Sequence, residues 1–206
     1  MLKILGRANS SNVRKVLWCA TEIGKDFDRT DVGGPFGGND TPDYLARNPT
    51  GLVPTLIDGD VVVWESNAII RYLAATYSAG ALWPADPAER SVADRWMDWQ
   101  IFALAAPMTL LLHTHNKVPG KAGTPEQVAA AESELVKHWG VLERGLDGRD
   151  FVAGNRLTMG DIPAGFFINR WRILATNKPD FPNIFAWHER LKQREGYARH
   201  IVEAGV

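Results

Sequence analysis

The chain has 206 residues, 45% of them apolar and 23% charged, and Lys+Arg 23 against Asp+Glu 24 leaves a net charge of −1. At roughly 100–200 residues per domain, this is one large domain or two small ones, long enough to bury a core without a disulfide or metal staple. Balanced charge argues against nucleic acid or an anionic membrane as partner. The single cysteine, Cys19, excludes a disulfide framework and any Cys-x-x-Cys redox or zinc motif.

Residues 2–78 mix strand-like and helical runs. Lys3-Ile4-Leu5 reads as a short strand ended by Gly6. Val13, Val16, Leu17 and Ala20 fall at i, i+3, i+4 and i+7, a helix that Gly24 is placed to end. Phe27 to Val32 follows as a second strand, and residues 33–38 read as a glycine-rich loop. Thr41-Pro42 forms the N-cap and first position of a short helix through Arg47. Thr55-Leu-Ile and Val61-Val-Val flank Asp58-Gly59, a hairpin signal. Ile69, Tyr72, Leu73 and Thr76 then keep helical spacing. The order β-α-β-α-β-β-α describes an α/β layer.

Residues 79–87, with Gly80, Pro84 and Pro87, read as a linker. Beyond it, residues 88–116, 125–146, 159–175 and 183–195 read as helices, and Thr124-Pro125 opens the second of these. The expected organisation is therefore an α/β domain over 1–78, a linker over 79–87 and an all-helical domain over 88–206. The N-terminus lacks the apolar core of a signal peptide. The longest apolar run, Ile101 to Leu112, contains a proline and falls far short of the ~20 residues that span a bilayer. A cytoplasmic protein without a membrane segment is expected.

Several weak motifs carry little chemistry. His113 and His115 do not share a helix face, so no metal site is expected. The glycine-rich loop lacks the spacing of a phosphate cradle, and Ser66 lies outside a Gly-x-Ser-x-Gly elbow. Four stretches matter more. Ala8-Asn9-Ser10-Ser11-Asn12 precedes the first helix, where hydroxyls and amides either cap the helix or, with its dipole, hold an anion. Val53-Pro54 stands at the mouth of a strand, either as a simple strand start or as a cis proline whose neighbour pairs with an extended peptide. Glu65-Ser66 opens the helix after the hairpin. Glu65 suits an ammonium and Ser66 a carboxylate, or Ser66 only caps. Leu157-Thr158-Met-Gly-Asp161 is a Thr-x-x-Asp capping box, read as structural.

Taken together, Ser10-Ser11-Asn12, Asn48-Pro-Thr-Gly-Leu-Val-Pro-Thr-Leu56, Trp64-Glu-Ser-Asn-Ala-Ile-Ile70, Leu157-Thr-Met-Gly-Asp161 and Asn183-Ile-Phe-Ala-Trp-His188 resemble the cytosolic glutathione transferases over essentially the whole chain. The resemblance implies a thioredoxin-like N-terminal domain, an all-helical C-terminal domain and a homodimer. It also implies glutathione as co-substrate and a small hydrophobic electrophile as its acceptor. By that resemblance Val53 pairs its backbone with the cysteinyl part beside a cis Pro54, Glu65 and Ser66 hold the γ-glutamyl group, and Asn39 aligns with the glycyl end. Ser10 lines up with a catalytic serine and Asn12 with an asparagine used by some bacterial members. Asn9 stands where other members carry a cysteine, which argues against mixed-disulfide chemistry.

The chemistry is consistent. A free thiol with a pKa near ~8.5 is about 3% thiolate at pH 7. A helix N-terminus and a hydroxyl donor that lower it to ~6.5 make roughly three quarters thiolate, a differential stabilisation of ~2.7 kcal/mol. Ser10 is expected to donate to the thiolate and not to act as a nucleophile, while Ser11 and Asn12 lie within the same turn and compete for the role. Met97, Ile101, Ala105 and Met108 share a helical stripe that lines the electrophile's pocket, the core or a dimer interface. Conjugation is the leading reading. Glutathione-dependent disulfide or peroxide reduction, and a non-catalytic binding module, are the alternatives.

Overall fold

A computed structural model describes residues 1–205. The chain divides into two compact units. The first comprises Met1–Trp83 together with Arg194–Ala204, and the second centres on Pro84–Gln193. Residues 194–204 thus group with the α/β unit, whereas the sequence pattern attached them to the helices before them.

The first unit runs β1 (Leu2–Leu5), α1 (Ser11–Glu22), β2 (Phe27–Thr30), α2 (Pro42–Leu45), β3 (Thr55–Asp58), β4 (Val61–Trp64) and α3 (Ser66–Tyr77). Its four strands form one sheet in the order β2-β1-β3-β4. β1 and β2 are parallel, with Leu2 opposite Phe27, because α1 supplies the crossover that a parallel pair requires. β3 runs antiparallel to β1 and to β4, with Asp58 opposite Val61. The hairpin loop is Gly59-Asp60, one residue later than the Asp58-Gly59 signal. Gly59 takes φ 59°, the left-handed position that a two-residue turn of this kind gives to glycine. Asp58 is tied down by the hydroxyls of Tyr72 (2.9 Å) and Tyr77 (2.6 Å), which fix the turn to α3. The element order implied an α/β layer, and this is the thioredoxin-like mixed sheet that the resemblance implied.

Every residue of α1 from Val13 to Ala20 is buried, including Arg14 and Lys15, although its apolar pattern predicts one buried stripe. The reason is the returning segment. A short turn, α9 (Glu195–Tyr197), and a π-helical turn (Ala198–Val202) lie against α1, while α3 also packs on it. Trp18 meets Tyr197 edge-on at 4.8 Å. Its indole donates to Glu22 (2.9 Å), which also takes the Arg194 guanidinium at 2.6 Å. Thr21 Oγ1 lies 2.9 Å from His200 Nε2.

The second unit is all-helical: α4 (Pro87–Ala103), α5 (Ala105–His115), α6 (Pro125–Gly145), α7 (Asp161–Leu174) and α8 (Pro182–Lys192). The single helix expected over 88–116 is broken at Leu104 (φ −111°). Pro107 explains this: it lacks an N–H, and its ring would collide with the carbonyl four residues earlier. Thr124 and Gln127 close a full capping box at the start of α6. The core is aromatic, with Trp96 edge-on to Trp99 at 5.1 Å and Trp139 tilted on Trp171 at 5.6 Å. Of the stripe expected to line a pocket, the core or a dimer interface, Met97 and Met108 are fully buried core residues, whereas Ile101 is 46% exposed. Among the described residues no helix is long and apolar enough to cross a membrane.

Candidate functional site

The start of α1, the loop before β3 and the start of α3 converge on one cleft of about 50 Å³; Asn12 is its lining residue from α1, and Ser10 and Ser11 stand outside its lining. Asn12, Val53, Pro54, Glu65 and Ser66 line it, joined by Asn48, Thr50 and Leu52. Gly6 makes the convergence possible. A Cβ there would stand 2.5 Å from Val13 Cγ2 and 3.2 Å from Val53 Cβ, so only glycine lets β1 end this close to both segments.

Ser10 occupies the N-cap position of α1 in extended backbone (φ −77°, ψ 128°), yet its side chain caps nothing. It is 7% exposed, and among the described residues its hydroxyl makes no hydrogen bond. A serine in the preferred cap position that does not cap is a hydroxyl left over for something else. Ser11 is the first residue of α1, and Asn12 follows it. The Asn12 Oδ1 accepts a hydrogen bond from the Ser66 hydroxyl at 3.3 Å. That bond joins the N-termini of two helices, α1 and α3, each 12 residues long. Both positive helix ends therefore face one place.

The Val53–Pro54 peptide is cis. Among the described residues the Val53 N–H and C=O form no hydrogen bond, so a donor and an acceptor stand side by side at the strand mouth. The loop around them is held from behind. Tyr44 Oη donates to the Leu52 carbonyl at 2.6 Å, and Asn48 Nδ2 donates to the same oxygen at 2.8 Å. Asn48 also donates to Thr55 Oγ1 (3.0 Å), which lies 2.9 Å from the Tyr44 hydroxyl. Its Oδ1 accepts from the Thr50 N–H (3.1 Å) and hydroxyl (2.6 Å). Reading the residues one at a time missed this brace, although Asn48-Pro49-Thr50 carries its signal. An asparagine ahead of a proline commonly closes a turn on the N–H two residues on.

Glu65 is exposed and takes φ 68°, a left-handed conformation rare for a side chain of its size. Its backbone costs about 1–3 kcal/mol. The cause is the absence of any loop: β4 ends at Trp64 and α3 begins at Ser66. Asn39 does not line the cleft. Its amide donates to the Gly51 carbonyl at 2.7 Å and so braces the loop from outside.

The Thr158–Asp161 pair is built differently. Asp161 is wholly buried, and its carboxylate accepts from Val152 N–H (2.9 Å), Thr158 N–H (2.8 Å), Thr158 Oγ1 (3.2 Å) and Trp187 Nε1 (3.0 Å). Only half of the expected capping box forms, since the threonine hydroxyl donates to the acid instead of accepting from the helix. Burial pushes the Asp161 pKa up to about 6 against the pull of its hydrogen bonds. Cys19 is fully buried, and burial drives its thiol pKa upward.

With this geometry in view, likeness to known proteins becomes informative. Residues 9–76 match the glutathione S-transferase N-terminal domain and residues 100–195 the glutathione S-transferase C-terminal domain. The glutathione S-transferase GstB of Escherichia coli strain K12 is 36% identical over 205 residues, covering 98% of each chain. A theta class glutathione S-transferase from Xanthomonas axonopodis pv. citri, solved with glutathione bound, is 45% identical over 97% of this chain and 96% of its own, with a TM-score of 0.90. A Bombyx mori glutathione transferase superposes with a TM-score of 0.86 at 28% identity, covering 98% of this chain and 94% of its own. The chain belongs to the glutathione S-transferase family.

Proposed function

We propose that the cleft binds glutathione in extended form and that Ser10 donates a hydrogen bond to its thiolate, which attacks a small apolar electrophile. As a glutathione S-transferase the protein uses the tripeptide as co-substrate. The unspent Ser10 hydroxyl at a helix N-terminus carries this reading. Deprotonation releases the thiol proton to solvent. The sulfur then forms a bond to the electrophilic carbon as the leaving group departs with its electron pair.

The other contacts follow from chemistry. The free Val53 N–H and C=O suit the backbone of the cysteinyl residue, pairing as an added strand does. Ser66 and the N-terminus of α3 suit the γ-glutamyl carboxylate, and the exposed Glu65 carboxylate suits its ammonium. We assign Asn39 and Asn48 to bracing the loop. The buried Cys19 supports conjugation over mixed-disulfide chemistry, because its protonated thiol offers no accessible nucleophile. The edge strand β4 exposes Val61, Val62 and Trp64, and Leu52 is 64% exposed. We take these as part of a homodimer surface. We place the protein in the cytoplasm, where glutathione is held reduced.

The test is calorimetric titration with glutathione, then ultraviolet absorbance of the bound thiolate against pH for wild type, Ser10→Ala and Asn12→Ala. The expected result is micromolar to millimolar binding with a bound-thiol pKa well below 8, raised in Ser10→Ala. A rise confined to Asn12→Ala moves the role to Asn12. Turnover of aromatic halides in preference to disulfides or peroxides separates conjugation from reduction, and absence of binding leaves only a non-catalytic module.

A further inference from the structure

We infer that Arg14 is a positioning residue through which the returning C-terminal segment holds the Ser10 turn in place. This rests on the assignment of Ser10 as donor to the thiolate.

Arg14 is 5% exposed, although arginine is seldom buried without a structural purpose. Its guanidinium reaches two backbone carbonyls far apart in sequence: Nε donates to Ala8 O at 3.2 Å and Nη2 donates to Ala204 O at 2.9 Å. Its own backbone N–H donates to Ser10 O at 2.9 Å. The turn between is short, closed by the Ser10 N–H on Arg7 O at 3.1 Å. The guanidinium therefore grips the turn two residues before Ser10 and ties it to Ala204, while the Arg14 backbone makes the first helical bond to Ser10. A planar guanidinium holds several bonds in fixed directions, which a lysine ammonium cannot reproduce. An N-cap hydroxyl that makes no hydrogen bond among the described residues has no restraint of its own. The backbone beneath it must fix its direction, and small displacements of a donor are costly to a developing or bound charge. The rest of the segment is fastened to the far end of α1, by Arg194 to Glu22 and His200 to Thr21.

The experiment compares Arg14→Lys, a truncation after Glu203 and Arg194→Gln, each read by the pKa of bound glutathione, by kcat and KM toward an aromatic halide, and by urea midpoint. Arg14→Lys should raise the bound-thiol pKa by about one unit and lower kcat about tenfold at pH 6.5, with the KM for glutathione changed less than threefold. The truncation keeps Arg14 and its bond to Ala8 and removes the Ala204 acceptor together with residues 205 and 206. It should shift the pKa in the same direction by a smaller amount. Arg194→Gln should lower the urea midpoint and leave the pKa at the wild-type value. A wild-type pKa in both Arg14→Lys and the truncation overturns the inference while the function stands. An equal pKa rise in Arg194→Gln overturns it too, since general loosening of the segment would then suffice. Absence of glutathione binding by wild type overturns the proposed function and this inference together.

Discussion

The starts of α1 and α7 use similar residues for opposite ends. Each places a hydroxyl amino acid ahead of a helix, Ser10 in one and Thr158 in the other, and each lies beside a polar cluster. At α7 the polar groups are closed on one another: the buried Asp161 carboxylate takes donors from Val152, Thr158 and Trp187. At α1 they are open: the Ser10 hydroxyl caps nothing, and the Val53 backbone, which lines the cleft with Asn12, forms no hydrogen bond among the described residues. Buried polar groups are nearly always satisfied, so the closed cluster is a staple, and the open one is where we propose that glutathione binds. A residue type at a helix start therefore does not tell staple from site; the accounting of its hydrogen bonds does.

That contrast can be broken by substitution. Asp161→Ala should have the largest effect, about 3–5 kcal/mol of lost stability, because it strands several buried donors at once. A urea midpoint that barely moves would show that the cluster is not a staple. Ser10→Ala should invert the pattern. Its urea midpoint should stay within about 0.5 kcal/mol of wild type, since no cap is lost, while kcat/KM falls about a hundredfold, or ~2.7 kcal/mol. Equal losses of stability and activity would erase the distinction. Ser66→Ala should raise the KM for glutathione about tenfold with kcat little changed, the signature of binding felt equally in ground and transition states.

The smallest effect is a pH dependence in the first unit. Burial, with Arg199 nearby, lowers the His200 pKa to about 4. A base whose folded pKa lies below its ordinary value binds its proton less readily in the native state. Its contribution is present above pH ~6.5 and is lost as pH falls toward 4. His200→Gln should therefore reduce the acid-side loss of stability by about 1 kcal/mol between pH 7 and 5, followed by urea midpoints.

Much of the site was legible because its chemistry is local. Ser10 before a run of helical periodicity, proline at the mouth of Thr55–Asp58 and Glu65-Ser66 between strand and helix all mark chain positions whose backbone groups cannot be satisfied within one element. Asn39 shows the limit. Its amide donates to the Gly51 carbonyl, and nothing in the intervening residues announces that bond. The Asn48 brace was half legible: the turn signal is local, whereas its partners Tyr44 and Thr55 meet only in the fold.

By itself the sequence determined the β-α-β-α-β-β-α order, the hairpin, the helical second half and the segments that carry the cleft. Those features follow from periodicity, turn residues and helix-start preferences, which act over a few residues. Only the tertiary structure decided which polar groups remain unpaired, and that residues 194–204 return to bury the outer face of α1 and reach Arg14. A hydrogen bond between residues 190 positions apart leaves no periodic trace, because it depends on where two distant backbones come to rest.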